Sequence, residues 1–247
     1  MMGTEHWLVV GASSSIARAF VREAARRGAA VTLAGRDLDD LQASAADARL
    51  RGAVQARVLR CDVTDAASVL ACATQASLPD TQLHVLVAVG TMPDQEAMDA
   101  DSALLAAMIE ANYSGPVALL QALASQFEQQ RGGRVVIVGS VAGDRGRRKN
   151  YLYGSAKAGL ATYADGLRAR LYASGATVTL VKPGFVDTAM TWGLPGLFLV
   201  ASPQSVAVAT MRAALRGRAE IYHPFFWRLI LLVVRHIPRA VMKRLSF

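Results

Sequence analysis

Short β-rich apolar runs alternate with alanine-rich stretches along all 247 residues, and that alternation constrains the fold more than any other feature of the chain. The apolar runs lie near Trp7–Val10, Ala30–Ala34, Ala56–Leu59, Val85–Val89, Val135–Val138, Thr177–Val181 and Glu220–Tyr222. Between them, Ser14–Arg27, Asp37–Leu50, Ala66–Ala76, Ala103–Gln130, Tyr151–Ala173 and Pro203–Arg216 are too long and too rich in alanine for strands and are predicted helices. Alternation of this kind specifies an α/β fold: one Rossmann-type doubly wound domain, a seven-stranded parallel sheet with helices on both faces and a binding crevice where the strand order reverses. Residues 1–223 are expected to form this domain, and 224–247 an apolar, basic helical tail.

A hydrophobic content of 53% over this length suits one large core. Cys61 and Cys72 show neither metal-ligand spacing nor a disulfide pattern, so no metal site is expected and the reading is a reducing compartment. The start, Met-Met-Gly-Thr-Glu-His, lacks the basic region of a signal peptide. The expected location is cytoplasmic, or peripheral on the inner face of the cytoplasmic membrane.

The chemistry concentrates after the fifth apolar run, where Val-Gly-Ser140-Val-Ala-Gly precedes Tyr153-Gly-Ser-Ala-Lys157. A tyrosine with an ordinary pKa of about 10 is a poor acid at neutral pH. A lysine four residues on shares its helix face, and its cation favours the phenolate. Ser140 leaves the buried run Val135–Val138 at a strand's carboxyl end, where open α/β sheets bind ligands. The competing reading of the Tyr and Lys is a core ring beside a solvated amine.

After Leu8-Val9-Val10, Gly11 permits a tight turn, and Ser13, Ser14, Ser15 and Ile16 open a helix whose N–H groups and dipole suit a pyrophosphate. No carboxylate ends the second run to hold ribose hydroxyls; Arg36 stands there instead, a planar cation suited to a 2′-phosphate. NADP(H) is therefore the preferred cofactor and NAD(H) the alternative. In the competing reading Arg36 only faces solvent while Asp37 starts the next helix.

With Asn112 in Glu-Ala-Asn112-Tyr-Ser-Gly-Pro, these segments resemble the short-chain dehydrogenase/reductase family over nearly the whole chain. The resemblance implies hydride transfer from a nicotinamide to a carbonyl, a proton from Tyr153 and a hydrogen bond from Ser140 to the developing alkoxide. It implies that Lys157 lowers the tyrosine's pKa and binds the nicotinamide ribose, and that Asn112 holds a water linking Lys157 to solvent. It also implies adenine contacts from the Asp62 carboxylate and the Val63 backbone. Pro183, Gly184 and Val186 would meet the nicotinamide carboxamide, and Thr188 the pyrophosphate as well. Two departures stand out. The family's Gly-x-x-x-Gly-x-Gly turn has Ser15 and Ala17 for its second and third glycines, which implies altered but retained binding. Its Asn-Asn-Ala-Gly stretch is Val87-Ala88-Val89-Gly90, which keeps only Gly90 and leaves the ribose to backbone groups and Asn112.

Arg145, Arg147, Arg148 and Lys149 fall between Ser140 and Tyr153, either as a solvated face or as rim donors for a substrate phosphate. Met190–Val200 reads as an apolar lid, with Met190 and Trp192 against the substrate. From Pro224 onward the tail has five Lys/Arg and no acid, +5 of the chain's net +8. Its apolar run Phe225–Val234 is far short of the roughly 20 residues that span a bilayer. It suits an interfacial helix over anionic headgroups, or an arm on a partner subunit in a homodimer or homotetramer. No nucleic-acid partner is implied. The basic loop and tail resemble the family branch that includes decaprenylphosphoryl-2-keto-erythro-pentose reductases, which implies a lipid-linked keto-sugar as substrate. Two alternatives stay open: a reductase of a soluble ketone or 3-oxoacyl substrate whose tail serves oligomerisation, and a cofactor-sensing binding protein of weak catalysis.

Overall fold

The structure is a computed structural model that describes residues 4–193 and 196–245. Its seven strands, β1 (Thr4–Val10), β2 (Ala30–Gly35), β3 (Gln55–Arg60), β4 (Thr81–Val87), β5 (Arg134–Val138), β6 (Thr177–Pro183) and β7 (Glu220–His223), form one sheet in the order β3-β2-β1-β4-β5-β6-β7. Every neighbouring pair is parallel. The order reverses between β1 and β4, so a crevice opens there beyond the carboxyl ends of the strands.

The two-residue period of a strand sends alternate side chains to opposite faces, and both faces are covered. Trp7 and Val9 pack with α1 (Ser15–Arg26), α2 (Leu38–Leu50) and α8 (Pro203–Leu215). Leu8 and Val10 pack on the other face with α3 (Ala66–Thr74), α6 (Gly115–Gln130) and α7 (Tyr151–Leu171). Side-chain caps explain several helix starts: Ser14 Oγ accepts from Ala17 N, and Asp37 Oδ1 accepts from Asp40 N. Asp37 thus does open the second helix.

Four features depart from the sequence expectation. β4 ends at Val87 rather than Val89, and the chain turns away through Gly90 at φ +151°. A short helix, α4 (Gln95–Ala100), precedes α5 (Ser102–Ile109), capped by Asp94 and Asp101. The long helix Ser102–Gln130 contains one π turn, Glu110–Ser114. Among the described residues that helix alone has the length and apolar content of a membrane span, yet Leu119, Leu120, Leu123 and Phe127 are buried against the sheet. Finally, Cys61 and Cys72, unrelated by sequence pattern, meet as buried free thiols; the hydrogen bond between them and their burial push the Cys61 thiol up.

The tail is helical and packs on the main domain. It forms α9 (Phe226–His236) and α10 (Arg239–Met242), and α9 seats Trp227 and Leu231 against Val141, Phe185 and Tyr222 of the main domain. A Cβ on Gly184 would collide with the Trp227 indole, so only glycine lets that ring sit down.

Candidate functional site

Four sequence-predicted residues converge at the carboxyl edge of the sheet. Ser140 follows β5 and caps the 3₁₀ turn Val141–Asp144, its Oγ accepting from Ala142 N at 3.1 Å. Tyr153 and Lys157 lie one turn apart on α7, both buried, with the Lys157 Nζ 5.7 Å from the centroid of the Tyr153 ring. Asn112 is fully buried in the π turn, where its Nδ2 donates to Thr91 O at 2.7 Å and Met108 O at 2.9 Å. Gly90 is the meeting point: a Cβ there would strike Asn112 Oδ1 and come within 3.3 Å of Lys157 Nζ.

Close backbone packing sets the register of this group. A Cβ on Gly143 would lie 2.8 Å from Ala158 N, and one on Gly154 2.8 Å from Ala142 O. The two glycines therefore let the serine turn and the tyrosine helix touch backbone to backbone, which holds Ser140 over Tyr153. No sequence signal marked these residues, because a glycine at a close approach looks like any other glycine until its neighbour is known.

Electrostatics depart from the sequence expectation. Burial pushes the Tyr153 hydroxyl up to about 12, opposed by its hydrogen bond with Ser140, and burial pulls the Lys157 ammonium down to about 8. Desolvation is the largest influence on both groups. At neutral pH the arrangement is a neutral phenol, able to donate a proton, beside an ammonium close to its own titration.

The groups present fit a dinucleotide. Lys157 Nζ donates to one backbone acceptor, Val138 O at 3.3 Å, and Asn112 Oδ1 is buried with no partner, so donor capacity and an acceptor face the same spot. At the amino end of α1, Gly11 holds φ +75°, and no hydrogen bond among the described residues uses the N–H of Ser15 or Ile16. Ser13 is exposed, although its carbonyl accepts from Arg18 Nε at 2.9 Å. Arg36 is exposed at the end of β2, free of hydrogen bonds and ion pairs among the described residues, and its charge lowers the nearby Asp62 carboxyl. The larger effects on Asp62 are hydrogen bonds to its Oδ1 from Thr64 N and Thr64 Oγ1 at 3.0 and 2.8 Å. The Val63 carbonyl abuts Gly115 at the end of the π turn.

Pro183 ends β6 and Gly184 follows, with Gly184 N donating to His223 O at 3.0 Å. Val186 and Ala201 pair across the root of the 187–200 loop, and Ala201 N donates to Phe185 O at 2.9 Å. Thr188 Oγ1 sits 3.4 Å from Thr191 Oγ1, which in turn donates to Val186 O at 2.5 Å. Met190 and Trp192 are exposed on this loop, and Phe198 packs on Trp227 at 5.4 Å between centroids. Residues 194 and 195 of the expected lid lie outside the described residues.

The basic rim does not form one patch. Arg145 is committed to the tail: its Nη2 donates to Ile237 O at 3.0 Å and its Nη1 to Arg235 O at 3.5 Å, capping the carboxyl end of α9. Arg147 is half-buried, with a buried Nε that has no partner, and desolvation lowers its pKa against the pull of Asp144. Arg148 and Lys149 are exposed. Lys182, which sequence reasoning missed, bridges Asp144 at 2.8 Å and Glu220 at 2.5 Å, tying the serine turn to β6 and β7. Burial lowers that ammonium, but the two carboxylates outweigh it and hold its pKa up.

The family model described as short chain dehydrogenase matches residues 5–195. An uncharacterized oxidoreductase of Mycobacterium tuberculosis is 35% identical over 240 residues, covering 96% of both chains. The cis-4-hydroxycyclohexanecarboxylate dehydrogenase of Sinomonas cyclohexanicum is 35% identical over 193 residues, 76% of each chain. Among solved structures, a short-chain dehydrogenase from Sphingobium yanoikuyae in complex with NADPH has TM-score 0.81 and 23% identity, covering 98% of this chain and 96% of that one.

Proposed function

The chain belongs to the short-chain dehydrogenase family and is an oxidoreductase, and from that premise we propose that it is an NADPH-dependent carbonyl reductase acting on a lipid-linked keto-sugar. The observation that carries the reductase reading is the buried Tyr153 held against Ser140, with Lys157 Nζ 5.7 Å from its ring centroid. A bound nicotinamide dinucleotide supplies the hydride. Lys157 and Asn112 would hold its ribose, Ser13 to Ile16 its pyrophosphate, Asp62 and Val63 its adenine, and Gly184 to Thr188 its carboxamide end. Arg36 would bind a 2′-phosphate and so select NADPH; the NADPH-bound Sphingobium structure is consistent with that choice.

The chain's own residues then manage charge. Ser140, anchored by Ala142 N, turns its O–H toward the substrate oxygen as negative charge develops there. Tyr153 passes its proton to that oxygen. Lys157 stabilises the phenolate left behind, and Asn112, whose unpartnered Oδ1 flanks Gly90 with Lys157 Nζ, would hold a water that links Lys157 to solvent. A keto-sugar on a polyprenyl phosphate fits the exposed apolar loop 196–200 and the exposed cations Arg148 and Lys149, which shortly precede Tyr153 in sequence.

A second reading, a dehydrogenase of a small cyclic alcohol, is favoured by the Sinomonas relative. The test is NADPH oxidation by the purified chain with a polyprenyl-phosphate 2-keto-pentose and with cyclohexanone derivatives. Preference for the lipid-linked ketone by kcat/KM supports the first reading, and preference for the cyclic ketones replaces it with the second. With Arg36→Ala, NADPH should weaken by about 1–3 kcal/mol, the worth of a lost charge-assisted hydrogen bond, while NADH stays unchanged. Equal weakening of both would make Arg36 structural.

A further inference from the structure

The helix α9 is apolar on two sides. Its inner side is satisfied by Trp227 and Leu231 against the main domain. Its outer side leaves Leu229, Leu232 and Val233 more than half exposed, with Phe225 at 75% just before it. An exposed apolar stripe on a helix that already has a buried face signals a second partner. The loop before α8 adds exposed apolar surface at this end of the molecule, with Leu199 exposed and the half-exposed Phe198 packed on Trp227 of α9 at 5.4 Å.

Charge decides between partners. Arg228, Arg235, Arg239, Lys243 and Arg244 are exposed around the stripe, and no acidic residue follows Glu220. A two-fold interface through this face would set the same cations against themselves, because an isologous contact places one patch on its own copy. An anionic bilayer neutralises them while the apolar stripe enters the headgroup boundary.

We propose that the outer face of α9 and the exposed loop 196–200 form a docking surface for an anionic lipid bilayer. The surface adjoins the site: α9 packs on Val141, the residue after Ser140, and the loop is rooted at Val186. Docking sets the site's mouth against the membrane, where a lipid-linked substrate lies; that consequence rests on the reductase reading, whereas docking itself does not. Arg145, by capping α9, keeps the helix fixed on the catalytic turn.

The test is co-sedimentation of the full chain with vesicles of phosphatidylcholine alone and with added phosphatidylglycerol. Binding is expected only with the anionic lipid and should weaken at least about tenfold as salt screens it. Leu232→Glu with Val233→Glu should abolish binding and leave NADPH affinity, measured by cofactor fluorescence, unchanged. Arg239→Gln with Lys243→Gln and Arg244→Gln, confined to exposed side chains, should weaken it by about tenfold or more if the first variant misfolds. No binding to anionic vesicles, or undiminished binding by the variants, overturns the proposal. So does a wild-type dimer in sedimentation velocity that Leu232→Glu with Val233→Glu converts to monomer, since a second copy then covers the face. Vesicle binding without turnover of any ketone would sink the reductase reading alone.

Discussion

Lys157 carries a cost that its neighbours do not remove. Its ammonium is buried, donates to a single carbonyl at 3.3 Å and has its pKa pulled to about 8 by desolvation. The unfolded chain holds that proton up to about pH 10.4. Between about pH 8 and 10.4 the unfolded state therefore binds more protons, so this residue's contribution to stability rises with pH there, and below pH 8 its penalty is constant. Replacing it with Met should raise stability at pH 7 by about 3 kcal/mol, a shift of roughly two pKa units in energy, and abolish ketone reduction. Urea unfolding at pH 7 and at pH 10.5 checks this: a gain at pH 10.5 as large as at pH 7 would contradict it. The same titration should make kcat/KM for reduction fall above about pH 8. Tyr153→Phe should abolish reduction while leaving NADPH affinity within about twofold, since the ring still packs and only the proton donor is lost.

At the scale of elements, the site depends on how α7 meets the serine turn. A Cβ on Gly143 would press on Ala158 N and the Lys157 backbone at 2.8 Å, so the turn must move away from the helix. Gly143→Ala should cut kcat by about 10²-fold, the usual result of misplacing a reacting group by about an ångström, with NADPH affinity and far-UV circular dichroism unchanged. An unaltered kcat would show that the register is set elsewhere. Trp227→Ala should destabilise the chain by about 3–5 kcal/mol, as for other buried aromatics, and also lower activity through Gly184 and Val141. Loss of stability with full activity would separate the tail from the site. Ser140, Tyr153, Lys157 and Asn112 were legible because their chemistry is written in side-chain type and spacing, and the strands because runs such as Val135–Val138 have one meaning between helices. What packs on them was not legible. The Asp144–Lys182 pair joins residues 38 apart, Arg145 caps a helix that starts some 80 residues later, and the tail's docking depends on a missing Cβ at Gly184. Nor could spacing reveal that burial raises Tyr153 and lowers Lys157, since desolvation is a property of the finished fold.

The whole molecule divides its sheet by end, with chemistry at the carboxyl edge and a stability device toward the amino edge. There His6 and His84 sit fully buried on β1 and β4, and His6 Nε2 shares a hydrogen with Thr32 Oγ1 at 2.7 Å. His84 accepts from Arg134 N at 3.1 Å and stacks on Trp7 at 4.9 Å between centroids. Burial and the Arg57 charge lower His6 to about 4, and burial with Arg134 and His6 lowers His84 to about 3. Both are neutral in the folded chain where they would already be charged in the unfolded one. As pH falls below about 6.5 the unfolded state gains two protons that the folded state refuses, so stability falls by up to about 2.7 kcal/mol per pH unit until about pH 4. Below that, of the two histidines, only His84 still contributes, down to about pH 3. Urea midpoints at pH 7 and pH 5 should therefore differ by roughly 4 kcal/mol in unfolding free energy. The Tyr153 and Lys157 titrations lie above this window and contribute nothing to the loss. Equal midpoints at the two pH values would mean that the histidines accept protons in the folded chain, and the amino edge of the sheet would then have to open to water without unfolding.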